Sequence, residues 1–266
     1  RVRSSAASDV YKRQGLAAVS DHDEDELQPI LSSLVAKEVL SVQADPRSPE
    51  RGQYGFLQDL VRTVAYETLP KRERRAKHLA VASYLDRGWS TDSEEIVEVV
   101  ASHYLEAWRL DPDAVDAQGI KDKAREMLVR AAERAAALAA AEEAQHAFER
   151  VAELSDSELE RAALTERAGE MAEKRGRPDE SAAHYQEASR LFELGGQARP
   201  AARVQARLAG VEWVRGHVEQ ATERMSRAYA SLAGDQPDPD LAVVAAQLGR
   251  FLALGGRYAE ATPVLE

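Results

Sequence analysis

Six histidines and one dense group of carboxylates are the residues of this sequence whose chemistry could support a metal site. The histidines are His22, His78, His103, His146, His184 and His217. Their spacing does not match H-E-x-x-H or another pattern of metal ligands. The carboxylates are Asp21, Asp23, Glu24, Asp25 and Glu26, without the alternation and glycine of a calcium loop. We interpret the histidines as packing or surface residues and the carboxylates as a solvated helix start, and we predict no metal site.

A basic run at residues 71–77 could instead contact phosphate groups. It holds Lys71, Arg72, Arg74, Arg75 and Lys77. Contacts to the DNA backbone need charge of this kind, but Glu73 interrupts the run and no aromatic or amide side chains are interleaved to read bases. The chain as a whole has a net charge of −11, which argues against general nucleic-acid binding. We favour a packed or solvated face and do not expect a nucleic-acid partner.

Further classes of protein are excluded by missing motifs. The sequence contains no G-x-x-x-x-G-K-[ST] loop for a triphosphate and no cysteine for a disulfide, a thiolate zinc site or a nucleophile. Its longest apolar runs are far shorter than the roughly 20 residues that span a bilayer. We therefore expect no catalytic residue and no cofactor in this chain, no membrane contact, and a cytoplasmic location.

Helices must carry most of this chain, because 48 of its 266 residues are alanine and only 4 are phenylalanine. Residues 1–14 show no periodicity and resemble read-through of non-coding sequence, so we expect a non-native tail on a fragment of a longer protein. Helical patterns at 23–40, 58–69 and 71–87 flank two β-prone runs at 39–43 and 53–57. This order predicts a winged-helix-like segment over 15–90, followed by a connecting helix and loop over 91–118.

Residues 119–266 repeat one packing pattern. A large residue recurs at Phe148, Tyr185, Met225 and Leu265, in steps of 37, 40 and 40 residues. Small residues lie four positions before each large one, at Ala144, Ser181, Ala221 and Ala261, and again twelve positions earlier, at Ala132, Gly169, Ala209 and Gly249. The pattern predicts about four helix pairs with close contacts at the small residues. The last pair is truncated. The fold class we predict is all-α, with a short β-ribbon ahead of an α-solenoid.

These positions resemble the tetratricopeptide repeat (TPR). The resemblance implies a groove, lined by the first helix of each pair, that binds a protein or peptide partner. The residues that the register places in this groove are Glu166, Glu170, Glu173, Lys174, Arg203, Trp213 and Arg250. Trp213 could anchor a ligand, since aromatic anchors dominate binding energies, although packing between repeats is the interpretation we favour.

The segment before the repeats resembles the large bacterial signal-transduction ATPases with numerous domains (STAND-type), many of which are linked to an adenylate/guanylate cyclase domain. The matching residues are Tyr54, Phe56, Arg62, Ala65, Tyr66, Leu69, Arg75, His78, Ala82, His103 and Tyr104. The resemblance implies that an ATPase domain, with ATP and magnesium, lies upstream and packs against this segment. Contact of the basic run with the nucleotide of that domain stays open as an alternative.

Taken together, these patterns predict a non-catalytic regulatory fragment whose repeats sense a partner or hold the parent protein inactive. Two alternatives remain open. The parent could be a transcriptional regulator with a DNA-binding output domain, or the chain could be a free-standing TPR scaffold.

Overall fold

The structure is a computed structural model that describes residues 11–265 except for 21, 44–51, 89–93 and 234–238. The chain divides into two compact units between Arg130 and Ala131. The division falls inside a helix and twelve residues after the predicted start of the repeats at 119. The hydrophobic pattern of a helix runs on without interruption, so the sequence does not mark a division inside it.

The first unit is built from a small sheet and helices. Its elements are β1 Tyr11–Lys12, α1 Arg13–Val19, α2 Glu24–Ala36, β2 Leu40–Val42, β3 Gln53–Phe56, α3 Asp59–Thr68, α4 Lys71–Gly88 and α5 Glu94–Leu110, and α6 (Ala117–Ala137) begins in it. The sheet is antiparallel in the order β1-β3-β2, with Tyr54 paired to Tyr11 on one side and to Val42 on the other. Leu27, Leu31 and Leu40 form a buried cluster beneath it.

The non-native tail expected at 1–14 stays a prediction, because the structure describes only its last four residues. Tyr11 and Lys12 pair with β3, and α1 begins at Arg13. Residues 1–10 lie outside the described residues. A two-residue strand is held by main-chain hydrogen bonds, so it needs no side-chain periodicity and leaves no pattern in the sequence.

The predicted role of the carboxylate group as a helix start is confirmed where the structure describes it. The Asp23 carboxylate accepts hydrogen bonds from the backbone N–H groups of Asp25 and Glu26, and the Glu26 side chain accepts one from the N–H of Asp23. This reciprocal arrangement satisfies donors that the first turn would otherwise leave open. Asp21 lies outside the described residues. The helix ends at Ala36 rather than at 40, because Glu38 takes a left-handed φ of 56°.

The second unit is a series of helix pairs. Its remaining elements are α7 Ala141–Leu154, α8 Glu158–Lys174, α9 Pro178–Leu194, α10 Ala198–Val214, α11 Val218–Leu232, α12 Pro239–Leu254 and α13 Tyr258–Leu265. From α7 onward, each helix packs against the next one along the chain. The turns inside the pairs α8/α9, α10/α11 and α12/α13 contain Gly176, Gly216 and Gly256 at φ of 68°, 85° and 76°, a conformation that glycine adopts without steric cost.

The predicted alternation of small and large residues forms the core of this unit. The large residues Phe148, Tyr185 and Met225 are buried, and so are all the small residues of the pattern. Leu265 is the exception, because 60% of its surface is exposed although it contacts Gly249. Small residues thus lie where two helices approach closely, and large ones fill the space that remains.

Gly169 provides a direct test of this packing. A Cβ atom at position 169 would lie 2.8 Å from two ring carbons of Tyr185, which is fully buried. We expect Gly169→Ala to lower the free energy of unfolding by about 1–2 kcal/mol, because overpacking costs more than the gain in helix propensity. The matched control is Gly210→Ala in α10, where a Cβ meets nothing within 4 Å and the gain of about 0.5–1 kcal/mol should appear alone. Urea unfolding of both variants measures the difference, and equal effects would contradict it.

Candidate functional site

Five charged side chains connect the first helices of three successive pairs, and we call them the ion ladder: Glu166 and Glu170 on α8, Arg203 and Arg207 on α10, and Asp240 on α12. Arg203 donates two hydrogen bonds to Glu166, from Nε to Oε1 at 3.0 Å and from Nη2 to Oε2 at 2.7 Å. Its third nitrogen, Nη1, lies 3.5 Å from Oδ2 of Asp240. One guanidinium therefore joins all three helices.

The second arginine of the ladder closes the network on α8. Arg207 Nε lies 3.2 Å from Glu166 Oε1, and its Nη2 lies 2.8 Å from Glu170 Oε1. The Glu166 side chain is only 7% exposed, whereas those of Arg203 and Arg207 are 33% and 40% exposed. The buried carboxylate fixes both guanidinium groups, while part of each one stays accessible to a ligand.

The surroundings favour the charged arginines. The hydrogen bond from Arg203 to Glu166 raises the pKa of Arg203, which also faces Asp240.

One helix turn further on, the Tyr185 hydroxyl donates a hydrogen bond to Glu173 at 2.9 Å. Burial, with Glu173 beside it, raises the pKa of Tyr185, so its hydroxyl keeps its proton.

The structure brings together part of the predicted groove set. Glu166 and Arg203 touch directly, and Glu170 joins them through Arg207. Glu173 pairs with Tyr185, and Lys174 is exposed at the end of α8. The two remaining members, Trp213 and Arg250, are placed in a different way.

Trp213 stacks on Phe251, with ring centroids 4.1 Å apart and an interplanar angle of 15°. Arg250 lies over the same phenylalanine at 5.6 Å from the ring centroid. One face of the indole is thus committed to packing between α10 and α12, as we favoured from the sequence. Its partial exposure leaves an edge available to a ligand.

Sequence reasoning missed Arg207 and Asp240. Arg207 lies one turn after Arg203 on the same helix, so the i, i+4 rule could have identified it. Asp240 lies in the first turn of α12, and no periodic signal distinguishes it from the acids around it.

A second candidate site is a cavity of about 720 Å³ in the first unit. Six of the residues that resemble STAND-type ATPases before α4 line it: Tyr54, Phe56, Arg62, Ala65, Tyr66 and Leu69. At its wall, His78 Nδ1 lies 2.8 Å from His103 Nδ1, and the Tyr66 hydroxyl lies 3.0 Å from His78 Nε2. A chain of three polar groups thus joins α3, α4 and α5.

Both imidazoles of this chain favour the neutral form. Burial lowers the pKa of His78, which also faces Glu106 and Arg74. Burial lowers the pKa of His103 to about 4, with a further contribution from His78 beside it. In a neutral pair one Nδ1 carries the proton that the other accepts, which ties α4 to α5 without placing a charge between them.

The basic run at 71–77 does not form one uniform surface. Lys71, Arg72 and Lys77 are exposed, whereas Arg74 and Arg75 are half-buried. Arg75 pairs with Asp116, and the Arg74 guanidinium lies 4.9 Å from the centroid of the Tyr66 ring. The run therefore has a packed side and a solvent side.

The described ranges contain neither a cluster of metal ligands nor a helix that could cross a membrane. Within them, no group of three or more histidine, cysteine or acidic residues is placed to hold a metal ion. None of the helices described there combines the length and the apolar character that crossing a membrane requires.

Comparisons with known proteins bear on the fold. No family model matches the sequence, and no curated protein matches it. Among solved structures, BtubC (BKLC) from P. vanneervenii is similar with a TM-score of 0.50 and 18% identity, over 77% of this chain and 82% of that one.

Two further similar structures come from repeat proteins. A kinesin light chain from Podosopora anserina with nearly identical TPR-like repeats gives a TM-score of 0.47 and 16% identity, over 73% of this chain and 90% of that one. A STAND protein with a tetratricopeptide repeat sensor from Pyrococcus horikoshii gives 0.44 and 14%, over 96% and 42%. The helix pairs, their buried small and large residues and the similarity to BtubC together identify a mostly α-helical fold with a TPR-like solenoid.

Proposed function

We propose that the second unit binds a protein or peptide segment across α8, α10 and α12. The observation that carries this proposal is the ion ladder, because it holds partly exposed charges of both signs in fixed positions on the first helices of three successive pairs. Preorganised side chains lose little conformational entropy when a ligand arrives. An extended segment is the kind of ligand that can touch three helices at once.

The balance of charge restricts the ligand further. The ladder and the remaining charged groove residues comprise four acids and four bases: Glu166, Glu170, Glu173, Asp240, Lys174, Arg203, Arg207 and Arg250. With no net charge, this surface does not attract a polyanion or a polycation as a whole. We infer that the ligand is a segment with mixed charges, recognised by pairing of individual groups.

The finer proposal concerns the parent protein. We infer that the chain is the regulatory arm of a multidomain ATP-binding signal-transduction protein of the STAND type, in which the repeats sense a partner and the first unit contacts an ATPase domain. The chain has no phosphate loop, so ATP and magnesium would belong to that ATPase domain, as would any cyclase output to a further one. The resemblance of residues 54–104 supports this proposal.

Sequencing the genomic DNA on both sides of this segment tests the parent. A phosphate-loop ATPase encoded directly upstream, with or without a cyclase domain, is the expected result. An open reading frame that starts near residue 15 and ends near residue 266 would overturn the proposal and leave a free-standing repeat adaptor.

Selection from a displayed peptide library tests the binding surface. We expect peptides selected on the full chain to lose about 5- to 30-fold in affinity when Arg207 becomes glutamine, because one charge-assisted contact is worth roughly 1–2 kcal/mol. This variant keeps the two bonds between Arg203 and Glu166, so the fold should be preserved.

The control for this selection is Arg190→Gln on α9, an exposed arginine that pairs with Glu187 three residues earlier. It should leave the affinity unchanged. Selected peptides that bind both variants as tightly as the original chain would show that the ladder is not the binding surface.

A further inference from the structure

We propose that the cavity of the first unit binds a small amphiphilic anion, a molecule with an aliphatic body and one carboxylate or phosphate head. The cavity measures about 720 Å³, which lies in the range of sites for small molecules. Its two kinds of lining, one apolar and one cationic, carry the proposal, and nothing in the proposed role of the repeats depends on it.

The apolar part of the lining comes mainly from five elements. Leu16 of α1, Leu31 of α2, Leu40 of β2 and Phe56 of β3 line the cavity, and Val81 of α4 adds to them. Phe56 keeps 39% of its surface exposed although it lies at this wall. A hydrocarbon body of a ligand would remove such apolar surface from water, which is favourable at about 25 cal/mol per Å².

The polar part of the lining is dominated by positive charge. Arg62, Arg74 and Lys77 line the cavity, and Glu106 is the one acidic residue among the described residues that line it. With the neutral His78–His103 pair at the same wall, the charge of the lining is positive. The cavity therefore complements an anion and disfavours a cation of the same size.

Arg74 fixes where the anionic head would bind. Its guanidinium lies 4.9 Å from the centroid of the Tyr66 ring, and both side chains line the cavity. A guanidinium that stacks on an aromatic ring keeps its charge and its N–H donors in a defined place. A carboxylate or phosphate group in the cavity would pair with this charge.

Titration calorimetry of the full chain with three ten-carbon probes tests the proposal. Decanoate and decyl phosphate carry the anion, and decanol has the same body without charge. We expect at least one anion to bind at least tenfold more tightly than decanol, and the tighter of the two identifies the head group. No binding by either anion, or equal binding of decanol, would overturn the proposal.

Three variants locate the site. Arg74→Gln should weaken binding of the anion at least fivefold and leave the affinity for decanol unchanged. The control is Lys71→Gln, because Lys71 is exposed on the same helix and lies outside the cavity lining. This variant should leave the affinities for the anion and for decanol unchanged. Ala65 is exposed on α3 and lines the cavity. Ala65→Trp should abolish binding of the anion and of decanol, because the indole fills the space. Equal effects of the Arg74 and Lys71 variants, or unchanged binding to the Ala65 variant, would contradict this location.

Discussion

Replacing Arg224 by methionine is expected to lower the free energy of unfolding of the second unit by about 3–5 kcal/mol, because it leaves a buried carboxylate without its partner. Arg224 on α11 donates two hydrogen bonds to Glu212 on α10, from Nε to Oε2 at 2.8 Å and from Nη2 to Oε1 at 2.9 Å. The Glu212 side chain is only 7% exposed. Removing the guanidinium therefore leaves a charge that has little contact with water.

The control is the double variant Glu212→Met with Arg224→Met. A buried ion pair costs desolvation energy, so replacing both members by apolar side chains of similar size should restore most of the loss. Urea or thermal unfolding of the two variants measures the difference. A single variant that loses less than about 1 kcal/mol, or a double variant no more stable than the single one, would show that the pair does not behave as a buried unit.

Acidification is expected to destabilise the first unit by about 3 kcal/mol between pH 6.5 and pH 4 through His103 alone. Burial lowers the pKa of His103 from 6.5 to about 4 in the folded chain. Between these two values the unfolded chain binds a proton that the folded chain does not, so the free energy of unfolding falls as the pH falls. Protonation of His103 would also place a charge beside His78, which itself faces Arg74 and Glu106.

The comparison of His103→Gln with the original chain isolates this contribution. Unfolding of both proteins at a series of pH values should show a smaller slope in this window for the variant. Identical slopes for His103→Gln and the original chain would contradict the assignment.

The helix pairs could be predicted from the sequence because their packing is steric and repeats. Tyr185 needs a small residue opposite it, and Gly169 lies sixteen positions earlier, where the first helix of the pair passes. The same relation recurs at Met225 with Ala209, both buried. A close contact that repeats in every pair leaves a mark in the sequence that does not depend on the rest of the fold.

Charge pairing could not be predicted in the same way. The chain has 35 basic and 46 acidic residues, and the partner of each depends on the rotation of its helix against the next. Glu212 and Arg224 are twelve residues apart, and no local rule joins positions at that distance. The contact between His78 and His103 could not be predicted either, and we interpreted both as packing or surface residues. They meet because α4 packs on α5.

The groove itself stays a prediction, but helical periodicity places part of it on one face. Glu166, Glu170 and Glu173 share a face because they lie four and seven residues apart. Trp213 was open to two interpretations, since a large aromatic residue on a first helix can serve a ligand or a neighbouring helix. The stacking on Phe251 depends on how closely two helix pairs approach, which a single sequence does not reveal.

The ion ladder also sets a direction across the repeats. Its contacts from Glu166 to Arg203 and from Arg203 to Asp240 each join residues 37 positions apart, whereas the small packing residues Gly169, Ala209 and Gly249 recur every 40. Each step thus falls short by three residues, or roughly 4.5 Å along the helix axis. The ladder therefore descends towards the amino-terminal ends of successive helices. A segment that follows it would cross the helices obliquely, and would meet a different depth of the surface at each pair.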